Sequence, residues 1–199
     1  DVVTRMGDWV HSRLSVLPRA TLNRMWAIYI AGEFGAMNEV MADLHAVTGQ
    51  QRYLTAAMCF DNRQALFGAC LENRDTLTRL HANTHVPQFL GYLRVFDRSG
   101  TAEYRTVTEN FWRMVVPHRM YAHGGTSGTW PAATNLPANT NPELFQPRGN
   151  IAGSIGGNGA ETCTTYNLLR VARNLYFHDP DPAYLEYYER GLVNHILGS

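Results

Sequence analysis

The chain has 199 residues, 45% hydrophobic and 17% charged, with a formal net charge of zero. That balance excludes a disordered polar chain and supplies enough apolar mass for a buried core. All 17 basic residues are arginine and form no basic stripe, and no apolar run approaches the ~20 residues of a membrane span. Neither nucleic acid nor a bilayer is therefore an expected partner.

Residues 2–17 carry apolar groups at helical spacing (Val3, Met6, Trp9, Val10, Leu14), and Pro18 interrupts them. A short helix is expected from Thr21, which can cap it. After a break at Gly32-Glu33-Phe34-Gly35, a helix is expected from Met37 to Thr48. Its face is Met37, Val40, Met41, Leu44 and Val47, and Gly49 closes it. Another helix is expected from about Arg52 to Phe67. The polar stretch Leu80–His85 precedes a helix with Pro87 in its first turn, ended by Ser99-Gly100. A partner helix follows over 102–116. From about 118 to 160 no period survives, and a loop of this length is commonly functional. Helices resume over 161–177 and 182–197.

Three stretches echo one another: Leu44 to Tyr53, Val95 to Tyr104, and Leu175 to Tyr184. Each is a helix end, a tight turn and a tyrosine opening the next helix. The expected fold is all-α, part of an (α/α) barrel built from consecutive helix hairpins with long rim loops. The 199 residues are expected to form one partial catalytic domain, with the loop at about 118–160 lining the site. No initiator Met opens the chain and no leader is visible, so an internal piece of a longer polypeptide is expected. The compartment stays open between cytoplasm and exterior.

Three cysteines make an odd count, which does not read as a disulfide framework. Cys59 and Cys70 lie in helical sequence and read as small buried groups. Cys163 stands two residues from Glu161 at a loop–helix junction. On a regular helix that spacing separates the two by about 200°, so they converge only where the chain is extended or frayed. A carboxylate and a thiolate so placed suit Zn²⁺. The other reading is a helix-start acid and a buried thiol. Glu143, beside Pro142 and Leu144-Phe145, is either a proton donor of raised pKa or a solvated loop acid. His81, with Asn83 and His85, could bind a polyol or could cap a helix. Asn38-Glu39 and the Tyr121–Gly125 loop with His123 are further candidates for substrate contact.

Five segments occur in order: Gly35–Leu44 (GAMNEVMADL), His81–Thr84 (HANT), Tyr121–Gly125 (YAHGG), Glu161–Leu169 (ETCTTYNLL) and Tyr187–Leu197 (YYERGLVNHIL). Together they resemble the β-L-arabinofuranosidase group of glycoside hydrolases (GH127/GH146-like), a class common in bacterial genomes. The resemblance implies an (α/α)6 barrel and a retaining glycosidase acting on a glycan, with a zinc-held cysteine thiolate as nucleophile. It implies that Glu161 and Cys163 bind the metal, that Glu143 is the general acid/base and that His81 contacts the sugar. It also implies a nucleophile from a cysteine pair beyond residue 199, in a C-terminal part of the same polypeptide. A non-catalytic carbohydrate-binding or structural barrel relative is the alternative. A barrel sugar epimerase fits less well, because it gives the Glu-x-Cys no task.

Overall fold

The computed structural model describes residues 1–27, 34–128, 143–152 and 160–199. Nine α-helices occur among them: α1 Val2–Leu14, α2 Arg19–Trp26, α3 Met37–Thr48, α4 Gln51–Met58, α5 Leu66–Leu71, α6 Ala82–Ser99, α7 Ala102–Val115, α8 Thr162–His178 and α9 Pro182–Gly191. A π-helical turn, Leu192–Ile196, continues α9. No strand forms among the described residues, only isolated bridges, and no described helix is long and apolar enough to cross a membrane.

The fold is the expected all-α barrel segment. α3, α6 and α8 stand side by side, and α4, α7 and α9 turn back along them. The three inner helices run parallel. From α3 to α6 the contacts climb in register, Asn38 with Gln88 and then Asp43 with Arg94. From α6 to α8 they climb likewise, Asn83 with Asn167 and then Asp97 with His178. All three hairpin turns therefore lie on one rim, and the N-termini of α3, α6 and α8 gather on the other.

Local chemistry explains the turns. Gly49 (φ 69°) and Gly100 (φ 68°) take the left-handed conformation that ends a helix. Asp181 caps α9, accepting from the Ala183 N–H at 2.9 Å, with Pro182 in the first turn. The tyrosine after each turn is buried. Tyr53 donates to Asp8 (2.8 Å) and Tyr104 to Asp61 (2.6 Å), while Tyr184 packs edge-on against Trp112. The core between α6 and α7 is aromatic, with Phe89 stacked on Phe111 and Tyr92 edge-on to Phe67 and Phe89.

Several expectations need correction. The stripe of α1 is open, with Val3, Met6 and Trp9 all more than half exposed, and Gly7 and Leu14 are its buried residues. In α3 the buried residues include Asn38, Glu39 and Ala42, whereas Val47 is 85% exposed. Helical spacing defines a stripe but not which side the neighbours occupy. Thr21 lies inside α2, which Pro18 precedes with a pre-set φ of −58°. Pro87 sits in the second turn of α6, because the helix already begins at Ala82. The Gly32-Glu33 half of the predicted break lies outside the described residues. So do 129–142 and 153–159 of the long loop.

The predicted helix over 52–67 is two helices, separated around Asp61. Asp61 is fully buried and accepts from Tyr104 and Arg63. Burial raises its pKa to about 6, against the partial opposition of those donors. An acid held above its unfolded value stabilises the fold below about pH 4 and loses that contribution as pH rises through 6. Unfolding free energy is expected to fall by about 2 kcal/mol more between pH 4 and 7 in the wild type than in Asp61→Asn. Urea titrations at both pH values measure the difference.

Candidate active site

The rim holding the N-termini of α6 and α8 also receives the loop segments 118–128 and 143–152. Two backbone pairings bring residue 143 there. Ala82 N–H donates to Glu143 O (2.7 Å), and Phe145 N–H donates to Leu80 O (2.9 Å). On its other edge Leu144 exchanges both backbone bonds with Gly128, at 2.9 and 3.0 Å. Arg119 anchors the segment from below. It is 1% exposed, forks onto both oxygens of Asp75, and donates through Nε to Gln146 O at 2.8 Å. Glu143 itself adopts φ 67°, a conformation that L residues take only when their surroundings impose it.

Glu161 and Cys163 arrive by another route. Glu161 is the N-cap of α8, in extended conformation (φ −81°, ψ 145°), and Cys163 is the second residue of the helix. The extended cap removes the separation a regular helix would impose. The thiol donates to Glu161 Oε2 at 3.3 Å. Glu143, Glu161 and Cys163 together offer ligand atoms within 4.8 Å of one another.

The electrostatics follow from this crowding. Burial, and then Glu161, raise the Glu143 carboxyl to about 7. Burial, the bond to Glu161 and the charge of Glu143 push the Cys163 thiol to about 11. The Cys163 thiol, and in part the Glu143 carboxyl, hold protons that a nearby divalent cation would displace. The Glu161 carboxylate and the Cys163 thiolate are donors that suit Zn²⁺, Glu143 stands beside them, and the remaining ligands would come from outside this cluster.

His81 precedes α6 and places Nε2 3.9 Å from Glu143 Oε2. His85 is buried, and its Nδ1–H donates to His81 O at 2.6 Å. His123 is half-buried in the 121–125 loop, its Nδ1 accepting from Gly125 N–H at 3.1 Å. Its ring lies 4.3 Å from that of His195 and 5.6 Å from that of Tyr121.

Asn38 and Glu39 are placed differently. Asn38 is 1% exposed, donating to Gln88 O and accepting from Glu39 N–H, so it staples α3 to α6. Glu39 pairs with Arg170 on α8 and approaches Arg94 on α6. Arg170 lies seven residues along α8 from Cys163, about 10 Å deeper at 1.5 Å per residue. These two residues join the inner helices and are not brought together with the carboxylate–thiol cluster.

No candidate pattern in the sequence includes His195. It is buried, and both ring nitrogens are engaged, with Thr165 Oγ1 at 2.7 Å and Ala160 O at 3.0 Å. The only local signal was a histidine within the YYERGLVNHIL segment. Its partners are some 30 residues away, beyond the reach of any helical period.

Fold and site together define the class: a helical-barrel protein carrying two carboxylates and a thiol on the rim where its inner helices begin. The chain belongs to the family described as beta-L-arabinofuranosidase, GH127 catalytic domain, which it matches over residues 1–199. Among solved structures it is similar to the GH127 beta-arabinofuranosidase BT3674, with 20% identity and a TM-score of 0.62. That match covers 79% of this chain and 24% of the other, so this chain spans about a quarter of that protein's length. At this identity the likeness concerns the fold. No curated protein matches the sequence.

Proposed function

We propose that residues 1–199 form part of the catalytic barrel of a retaining glycoside hydrolase that removes β-L-arabinofuranosyl residues from plant-type glycans. The loop at about 118–160 serves as one wall of its site. The observation that carries this reading is the convergence of Glu143, Glu161 and Cys163 within 4.8 Å, from segments about twenty residues apart in sequence. Family membership gives that convergence a substrate class.

In this reading Glu161 and Cys163 hold Zn²⁺. When bound, the ion supplies positive charge that keeps thiolates ionised near neutral pH. Glu143 holds its proton at a carboxyl oxygen facing the site and delivers it to the departing glycosidic oxygen. The resulting carboxylate then takes a proton from the water that releases the sugar. His81, next to Glu143, and His123, in the neighbouring loop, orient sugar hydroxyls. Cys59 and Cys70 are buried, and Cys163 is committed to the metal. The family resemblance implies a nucleophilic thiolate from a cysteine beyond residue 199.

The test is turnover of an aryl β-L-arabinofuranoside by the full-length protein, before and after chelation. The expected result is hydrolysis that chelation abolishes and Zn²⁺ restores. Arabinose binding without turnover in the zinc-loaded protein would instead establish the non-catalytic carbohydrate-binding relative.

A further inference from the structure

Among the described residues, the Glu161–Cys163 junction is held locally by little more than its own thiol–carboxylate bond. Glu161 makes no side-chain capping bond at the start of α8, and its backbone carbonyl accepts from Thr165 N–H only at 3.5 Å. Among the described residues, one distant side chain spans the junction. His195 reaches Ala160 O, the residue before Glu161, and Thr165 Oγ1, one turn into the helix. A carbonyl only accepts, so His195 Nε2 carries the proton and Nδ1 accepts from the Thr165 hydroxyl. Both nitrogens are thereby used, and the ring has no polar atom left for a substrate.

The placement of His195 depends on irregular backbone. Leu197 N–H bonds Leu192 O at 2.9 Å, the i→i+5 bond of a π turn, a feature found often at functional sites. The facing loop is cut to fit. A Cβ on Gly125 would lie 2.5 Å from His123 Cε1, 2.6 Å from Ala160 Cβ and 2.8 Å from His195 Cε1. Only glycine there lets the 121–125 loop close over both imidazoles.

We propose that His195 is a positioning residue, which sets the carboxylate of Glu161 and the thiol of Cys163 side by side by clamping the chain on both sides of them. The role rests on the metal-site reading above. It makes the π turn at the end of α9 part of the metal site without supplying a ligand. Loss of the clamp would let the extended cap relax into the helix, which would carry Glu161 and Cys163 onto different faces.

The test uses the intact protein carrying His195→Ala, His195→Gln or Thr165→Val. Zn²⁺ affinity is measured by competition with a chromophoric chelator. The alkylation rate of Cys163 is measured separately in metal-free protein, by mass spectrometry of the peptide that carries it. For His195→Ala the expected result is a ~10–100-fold loss of Zn²⁺ affinity, as for other groups that orient ligands. Alkylation should quicken several-fold as the thiol leaves its two carboxylate neighbours. His195→Gln, whose amide can donate to Ala160 O and accept from Thr165, should recover most of both. Wild-type affinity and alkylation rate in His195→Ala would overturn the proposal. Should that variant fail to fold, the same two results in Thr165→Val would overturn it. If wild-type protein binds no Zn²⁺, the metal reading fails, and the alkylation rates alone decide whether His195 positions the pair.

Discussion

Glu143→Gln is expected to lower turnover of an arabinofuranoside by the full-length protein about 10²–10⁴-fold, the usual contribution of a general acid or base. The loss should be greatest for substrates with poor leaving groups, which need protonation most. A carboxyl raised to about 7 by burial and by Glu161 is partly protonated at neutral pH, as a proton donor must be. The same elevation carries a stability cost. The group favours the folded state below its unfolded pKa of about 4.3, and that contribution is lost as pH rises through 7. Metal-free Glu143→Gln should therefore melt higher than wild type at pH 8 and alongside it at pH 4. The backbone of residue 143 stays at positive φ in both proteins, so that strain cancels in the comparison. Activity lost with stability gained is the signature of a residue kept for chemistry. Unchanged turnover in Glu143→Gln would move the acid elsewhere. Glu39 is a poor successor, because it is paired with Arg170.

Cys163→Ala is expected to weaken Zn²⁺ binding by at least ~100-fold, beyond what loss of an outer partner of a ligand costs. The wild-type thiol is held near 11 by burial and by the two carboxylates, so the metal-free site carries its proton at neutral pH. Binding a cation must expel that proton. Calorimetry at pH 7 in buffers of different ionisation enthalpy should show release of at least one proton per Zn²⁺. Apparent affinity should rise about tenfold per pH unit for each proton released. In Cys163→Ala the thiol's share of that release disappears. Equal metal stoichiometry and equal proton release in the two proteins would remove Cys163 as a ligand. Bound cation also lowers the Glu143 pKa, so the alkaline limb of the activity profile, where the proton donor is lost, should lie below the metal-free value of about 7.

What could be read along the chain was whatever depends on neighbours within one helical turn or one tight turn. The bounds of α3, the glycine caps at Gly49 and Gly100, and the hairpin register repeated at Tyr53, Tyr104 and Tyr184 are of this kind. The Glu161-x-Cys163 pair was legible too, along with the requirement that its backbone be extended. The cap at ψ 145° meets that requirement.

Folding decided which candidates meet. Glu143 reaches the thiol because residues 80–82 pair with 143–145 across sixty residues of chain, an event that no periodicity encodes. Asn38 and Glu39 looked equally suited to a sugar, yet the parallel packing of α3, α6 and α8 turned them into the polar contacts between inner helices. His195 gained its place from a π turn and from a partner thirty residues upstream. Helical propensity and capping act over a few residues and are written locally. Proximity between distant segments depends on how every intervening element packs, so the site's membership belongs to the tertiary structure.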